Sequence, residues 1–238
     1  TNQIFNLYRY NSNGGLDTSF ADNGWFGVSL ASGSDDYNTA THVEVDSRGR
    51  ILLGGEVFDG VKSISYSALL RLKDNGVLDT SFGSGGIARY YLETGGSVTA
   101  PLLIHEGING DLDIISQQGG YVGSDLGWIK VDANGQTNRP FAKSGLIVPG
   151  AKTLSVDFDQ NSQNSYVFTD SQDRVIVIGN GSDSSKTTES DAYVRRYLPN
   201  GTLDTGFASA GTLLQHFGPD DFISAAELDA DDNLWLSV

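Results

Sequence analysis

The chain has 238 residues with no cysteine or methionine, and its formal charge at pH 7 is −15. Disulfides, cysteine-ligated metal sites and a cysteine nucleophile are therefore excluded. Nucleic acid and anionic membranes are poor partners for so acidic a chain, and no apolar run reaches the roughly 18 residues of a membrane span. The charge is compatible with cations, basic proteins and neutral ligands, and solubility alone also explains it.

Short β-rich runs follow one another along the chain, and none of them has helical periodicity. The predicted strands are 4–10 and 25–29, then 41–45, 50–54, 68–72 and 87–91 in one full unit, and finally 223–228 and 234–238. Each unit therefore holds four runs, which are its first to fourth strands.

A similar twelve-residue phrase occurs four times, at the connection between the third and fourth strands. It reads NGGLDTSFADNG from Asn13, NGVLDTSFGSGG from Asn75, NGQTNRPFAKSG from Asn134 and NGTLDTGFASAG from Asn200, at spacings of 62, 59 and 66 residues. Asn-Gly favours a tight turn with positive φ. The Phe in each copy is well suited to anchor the connection in the core of the sheet.

A second phrase alternates with the first and predicts the hairpin between the first and second strands. It reads DSRGRILLGG from Asp46, GINGDLDIIS from Gly107, DSQDRVIVIG from Asp170 and DADDNLWLSV from Asp229. Each copy is a polar turn that leads into a short β-rich run. A period near sixty residues throughout the chain indicates a repeat architecture.

A basic residue and an acidic or amide residue flank each Asn-Gly turn at equal distances. The basic positions are Arg9, Arg71, Lys130 and Arg196, and their partners are Asp17, Asp79, Asn138 and Asp204. Both members change together in the third copy, which predicts that they touch in a charge-assisted hydrogen bond. One such pair per repeat is typical of a structural staple rather than of a catalytic pair.

Four short antiparallel strands per repeat predict an all-β fold, a β-propeller formed by a single domain over residues 1–238. The chain opens on a third strand and closes on a second strand, so sixteen strands make four blades, and both termini contribute to the last blade. This closure would remove a free sheet edge. A fragment of a larger propeller is the alternative.

The basic residue, the NGxLDTSFxxxG phrase and the intervening hairpin together resemble the delta-60 repeat family of bacterial propeller-like proteins. The resemblance covers essentially the whole chain, although QTNRPF in the third copy departs from the motif. It implies a bacterial, secreted or surface-associated β-propeller. It implies no activity, because these repeats are scaffold motifs.

The long, variable connections are predicted to lie on the face opposite the repeated hairpins, and repeats that vary on one face usually bind there. The loops are 31–40, 57–65, 93–101, 117–125, 149–164, 180–191 and 215–221. Carboxylates mixed with aromatic rings suit a glycan or protein partner, whereas a solvated acidic rim is the alternative. The candidate ligand-binding residues are Asp35, Asp36, Tyr37, Asp59, Tyr121, Asp220 and Asp221, and the loops also hold Phe58 and Phe158.

One stretch has the spacing of a calcium loop, because hard cations need several oxygen ligands. It contains Asp157, Asp159 and Asn161, but Ser162 and Phe168 stand where an EF-hand has its glycine and its closing glutamate. Calcium is thus the metal to expect, in a loop that is not an EF-hand. No organic cofactor is expected.

The first strands should line a central channel. Aligning the hairpins places Glu44, His105, Phe168 and Glu227 at one level. Two glutamates and a histidine could bind a cation or act as acid and base, and hydrated channel lining is the alternative.

The sequence contains no G-x-S-x-G, Walker A or H-E-x-x-H motif. The leading interpretation is a secreted or cell-surface binding or assembly module. The alternative is a polysaccharide hydrolase or lyase that uses carboxylates of the channel or the loops. A third interpretation is purely structural, as one domain of a longer surface protein or assembly.

Overall fold

The computed structural model describes residues 4–30, 33, 36–90, 97–119, 126–137, 146–147, 166–181, 191–218 and 223–238. Within these residues the chain forms sixteen β-strands and no helix, in agreement with the all-β prediction. Accordingly, this part of the chain has no helix that is long and apolar enough to cross a membrane.

The strands follow the predicted order, although several extend further than their apolar runs. Their bounds are β1 (Phe5–Tyr8), β2 (Trp25–Val28), β3 (Tyr37–Val45), β4 (Ile51–Asp59), β5 (Ile64–Leu72), β6 (Ile87–Tyr90), β7 (Ser97–Glu106), β8 (Leu112–Gly119), β9 (Leu126–Val131), β10 (Leu146–Ile147), β11 (Tyr166–Thr169), β12 (Val175–Gly181), β13 (Asp191–Tyr197), β14 (Thr212–Gln215), β15 (Ala225–Leu228) and β16 (Leu234–Ser237).

Adjacent strands pair antiparallel in five sheets. The first sheet is β3–β6, the second is β7–β10 and the third is β11–β14, each with four strands in chain order. The N-terminal pair is β1–β2, and the C-terminal pair is β15–β16. The predicted four-strand unit is thus present three times. Among the described strands, β1 pairs only with β2 and β16 only with β15.

Apolar layers lie between successive sheets and stack them in chain order. On β4, Leu52 joins the buried cluster shared with the second sheet, and its neighbour Leu53 joins the cluster shared with the N-terminal pair. On β8, Ile114 belongs to the cluster shared with the first sheet, and its neighbour Ile115 belongs to the cluster shared with the third sheet. Successive side chains of a strand point to opposite faces, so a central strand covered on both sides reads as a continuous apolar run.

The repeated Asn-Gly phrase interlocks neighbouring repeats. Phe20 and Phe82 are fully buried, and a Cβ added at Gly76 or Gly135 would lie 2.8 Å from the ring of the preceding repeat's Phe. Both glycines also have φ near +80°. Glycine is therefore required twice over, for the turn and for the close approach of the aromatic ring. Phe207 is only half-buried.

The predicted staple forms in all three copies whose two members are both described. The guanidinium Nε lies 2.8 Å from the carboxylate in Arg9–Asp17, Arg71–Asp79 and Arg196–Asp204. Each arginine also covers the phenylalanine of its own phrase, with 4.6–4.7 Å between the guanidinium carbon and the ring centroid. The staple thus fixes the turn and the aromatic anchor together.

The third copy of the phrase has a different arrangement. Lys130 lies 3.0 Å from the fully buried Asp113 on β8, and Trp128 Nε1 donates to the same carboxylate at 2.7 Å. Asp113 and Lys130 are cross-strand partners on β8 and β9. At the equivalent positions of the first sheet, the partners are Leu52 and Arg71. The change from arginine to lysine therefore accompanies a new carboxylate on the neighbouring strand, while Asn138 lies outside the described residues.

The hairpins between first and second strands span 46–50, 107–111, 170–174 and 229–233, and we call this end of the sheets the hairpin face. A carboxylate links each of the first three hairpins to the following repeat. The Ser47 N–H donates to Glu106 at 2.6 Å, the Ile108 N–H to Asp173 at 2.7 Å and the Ser171 N–H to Asp232 at 2.9 Å. We call these contacts carboxylate bridges.

Candidate functional site

The opposite end of the sheets, the loop face, carries an aromatic pair at the start of β3 and the end of β4. Tyr37 and Phe58 are cross-strand partners whose rings stack with centroids 5.5 Å apart and an interplanar angle of 17°. The Tyr37 hydroxyl donates to Glu56 Oε1 at 2.9 Å. Burial, followed by the hydrogen bond to Glu56, raises the pKa of Tyr37. Both rings remain partly open to solvent.

Two carboxylates order the backbone around this pair. Asp36 accepts a hydrogen bond from the Gly60 N–H at 2.6 Å and another from the Gly33 N–H. Asp59 forms a 2.6 Å ion pair with Lys62, whose hydrogen bonds lower the pKa of that carboxyl. We call Asp36, Tyr37, Glu56, Phe58 and Asp59 the loop-face patch.

The structure thus brings three of the predicted ligand-binding residues together: Asp36, Tyr37 and Asp59. The other predicted positions lie outside the described residues: Asp35, Tyr121, Asp220 and Asp221, together with the predicted metal ligands Asp157, Asp159 and Asn161. Glu56 was not singled out by the sequence. Its position two residues before Phe58, which places both side chains on the same face of a strand, is the signal that could have found it.

The residues predicted to line a channel occupy equivalent positions in their repeats. Glu44, His105, Phe168 and Glu227 each pair with the sixth residue after the start of the following hairpin. His105 Nδ1 lies 3.9 Å from Glu44, and His105 Nε2 lies 3.5 Å from Asp173 of the third hairpin. Glu227 is exposed, and in the described part of the chain it forms no ion pair.

Burial sets the electrostatics of Glu44. Desolvation raises the pKa of this carboxyl, against the lowering effects of the Glu106 N–H and of His105. The Glu106 N–H donates to Glu44 Oε1 at 3.4 Å. A carboxyl with a raised pKa beside an imidazole can hold or release a proton, which is the arrangement expected of an acid–base pair.

A cavity of about 500 Å³ opens beside this cluster on the hairpin face. Its lining includes Arg48, His105, Glu106, Asp170 and Asp173 from three successive repeats. A neighbouring cavity of about 430 Å³ shares Asp170 with it and extends to the hairpin 229–233. On the hairpin face, Asp173 and Glu106 are the functional candidates that the sequence analysis missed.

Aligning the repeats of the chain with one another could not identify Asp173. This residue belongs to a turn and approaches His105 from the next repeat. No three histidine, aspartate or glutamate side chains in the described ranges are grouped so that they could hold a metal ion. Within those ranges the polar clusters can accept hydrogen bonds or exchange protons.

Comparison with protein families supports the repeat assignment. Residues 1–20, 49–82 and 173–207 match a family model described as a domain of unknown function (DUF5122) beta-propeller. The matched segments make up less than half of the chain. Each ends on the Phe of an Asn-Gly phrase, in the first, second and fourth copies, and the divergent third copy is not matched. No curated protein and no solved structure matches the chain. The described part of the chain is therefore all-β, and the matched segments are similar to β-propeller repeats.

Proposed function

We propose that this chain is a β-propeller binding module, of the delta-60 repeat type and secreted or exposed on a bacterial surface, that recognises a glycan or protein partner through its loop face. The observation that carries the proposal is the loop-face patch. The residues that recur between repeats are used in staples and turns, and the carboxylates of the hairpin face in bridges between repeats. The patch instead belongs to one repeat, so it is available for recognition.

The chemistry of the patch favours a glycan among these partners. Tyr37 and Phe58 offer partly exposed aromatic surface, against which the C–H face of a sugar ring can pack. Glu56, Asp36 and Asp59 supply carboxylate oxygens that accept hydrogen bonds from hydroxyl groups. Hydrogen bonds already hold several of these groups in place, which lowers the entropy lost on binding.

Affinity electrophoresis in gels containing neutral or acidic polysaccharides tests this function. We expect at least one polysaccharide to retard the native protein, and Tyr37→Ala to weaken that binding about tenfold or more. Tyr10→Ala is the matched control, because Tyr10 is 63% exposed beyond the opposite end of β1. Retardation of Tyr37→Ala equal to that of the native protein would show that the patch does not bind, whereas no retardation at all would exclude the glycan.

Calcium is proposed as an accessory ligand of the loop face, through Asp157, Asp159 and Asn161. A ligand that binds only the folded state stabilises it by about 2.7 kcal/mol at a hundredfold excess over its dissociation constant. We expect calcium to raise the melting temperature relative to EDTA, and Asp157→Ala to abolish the increase. Identical melting in calcium and EDTA would remove the metal from the proposal.

The channel supplies a specific reason to keep a second candidate function, a polysaccharide hydrolase or lyase. Glu44, His105 and Asp173 combine a carboxyl of raised pKa, an imidazole and a second carboxylate beside the 500 Å³ cavity. Release of reducing ends or of unsaturated sugars from a bound polysaccharide would support it. Activity that persists in His105→Gln would show that this cluster is not the catalytic site.

We further propose that the chain closes as a four-bladed ring in which β16 pairs with β1. Gly14 has nothing within 4 Å of an added Cβ, whereas Gly76 and Gly135 face a Phe ring, so Gly14 offers an open position for the half-buried Phe207. Ala208 has φ 43°, close to the 42° of Ala21, whose N–H donates to the Asn75 carbonyl of the next repeat. Repeat equivalence gives Asn13 as the acceptor for Ala208.

The same equivalence predicts the register of the closing pair. Leu52 faces Arg71 and Ile176 faces Arg196, so Trp235 should face Arg9 and Val238 should face Asn6. The cysteine-free chain allows a clean test, in which the Asn6→Cys/Val238→Cys variant should form a disulfide within one molecule on mild oxidation. Asn6→Cys/Ile108→Cys is the control. Crosslinks only between molecules, or none, would contradict closure.

A further inference from the structure

The carboxylate bridges have a fixed direction. In each one, the N–H of the second hairpin residue donates to a carboxylate of the following repeat, as Ser171 does to Asp232. The Ser171 hydroxyl adds a second contact to the same carboxylate at 2.6 Å. Hydrogen bonds to a charged acceptor are roughly twice as strong as neutral ones, so these contacts hold neighbouring repeats together on the hairpin face.

Two of the three carboxylates come from the same hairpin position. Asp173 and Asp232 are fourth in their hairpins and have φ of 57° and 63°. Gly49 and Gly110 occupy that position in the other two hairpins, with φ of 75° and 80°. Aspartate is one of the few non-glycine residues that tolerate this conformation. The second hairpin compensates for its glycine with Glu106, which precedes the hairpin and accepts from Ser47.

The first hairpin has no carboxylate at either position, because Gly49 is fourth and Val45 precedes it. In a closed ring, its neighbour would be the hairpin 229–233, whose second residue is Ala230. We propose that the junction between these two hairpins is the one without a carboxylate bridge, and that the ring opens there first. This inference rests on the four-bladed closure.

The test restores the bridge with a single substitution. A Cβ added at Gly49 meets nothing within 4 Å, and the same holds at Gly110. Gly49→Asp therefore places a carboxylate where Asp173 and Asp232 stand in their hairpins. Gly110→Asp is the matched control, because it has the same conformational cost in a repeat that Glu106 already bridges.

Opening is measured by thiol labelling of the reduced Asn6→Cys/Val238→Cys variant, whose sulfurs lie at the proposed closing strands. We expect Gly49→Asp to slow labelling about fivefold relative to Gly110→Asp and to raise the melting temperature by about 2–4 °C. Ala230→Pro removes the N–H donor at a turn position that favours proline. Ala230→Pro should therefore abolish the slower labelling and the higher melting temperature that Gly49→Asp confers. A double-mutant cycle with the two substitutions measures this dependence.

The outcomes separate the two proposals. Failure of the cysteine pair to crosslink within one molecule overturns the closure itself, whatever residue stands at position 49. Crosslinking within one molecule, combined with equal labelling of Gly49→Asp and Gly110→Asp, overturns the inference about the junction and leaves the closure standing. A gain that survives Ala230→Pro also overturns the inference, because the new carboxylate would then act on another group.

Discussion

Glu44 shows how neighbouring repeats tune a single carboxyl. Burial raises its pKa, and the negative charges of Glu106 and Asp46 act in the same direction, whereas the Glu106 N–H and His105 act against it. The pKa in the folded state is therefore above the unfolded value of about 4.3. The folded protein binds a proton at Glu44 before the unfolded chain does as the pH falls.

The sign of the pH dependence follows from linkage. The stabilising contribution of protonated Glu44 is fully present below the unfolded pKa, and it is lost as the pH rises through the folded pKa. We expect Glu44→Gln to be more stable than the native protein at neutral pH and to lack this loss. Urea unfolding between pH 4 and pH 8 measures the free energy of unfolding of both proteins. Glu227→Gln is the control, because Glu227 is exposed. A stability difference between the native protein and Glu44→Gln that does not change with pH would contradict the assignment.

Residue types and spacings identified Glu44 and His105 in the sequence because they recur at one position of the repeat. The same alignment could not identify Asp173, which approaches His105 from a turn of the next repeat. Nor could it identify Asp113 as the partner of Lys130, since the pairing across β8 and β9 depends on strand register.

The staple is the element that joins a turn, an aromatic anchor and the next repeat. The Arg71 guanidinium contacts Asp79, lies over Phe82 and also donates to the Ala133 carbonyl in the turn that follows β9. Its side chain is 3% exposed, whereas the Arg9 side chain is 37% exposed. Solvent screening therefore weakens the Arg9 pair much more than the Arg71 pair.

This difference in burial predicts unequal costs for one substitution. Arg71→Leu should destabilise the protein by about 3–5 kcal/mol, because it leaves Asp79 buried without its cation. Arg9→Leu should cost about 1 kcal/mol. Urea titration of both variants compares the free energies of unfolding. Equal losses of stability in the two variants would contradict this prediction. They would show that the hydrogen bond each arginine donates to a carbonyl of the next repeat contributes more than the ion pair.

The net charge is a property of the whole molecule. A charge of −15 repels itself in the compact state, and salt screens that repulsion over a Debye length of about 10 Å at 0.1 M. We expect the melting temperature to rise by about 2–4 °C between about 0.02 M and 0.5 M NaCl. Buried staples such as Arg71–Asp79 should be little affected. A fall in melting temperature would show instead that exposed ion pairs dominate the response.

The strand content, the repeat period and the staple could be predicted from the sequence, because each depends on a short-range pattern that recurs along the chain. The contacts between residues of different repeats became visible only in the folded structure. Phe20 against Gly76, Ile108 against Asp173 and His105 between two carboxylates are separated by many residues in the chain. Their contacts depend on how the sheets stack, and no local pattern encodes that stacking.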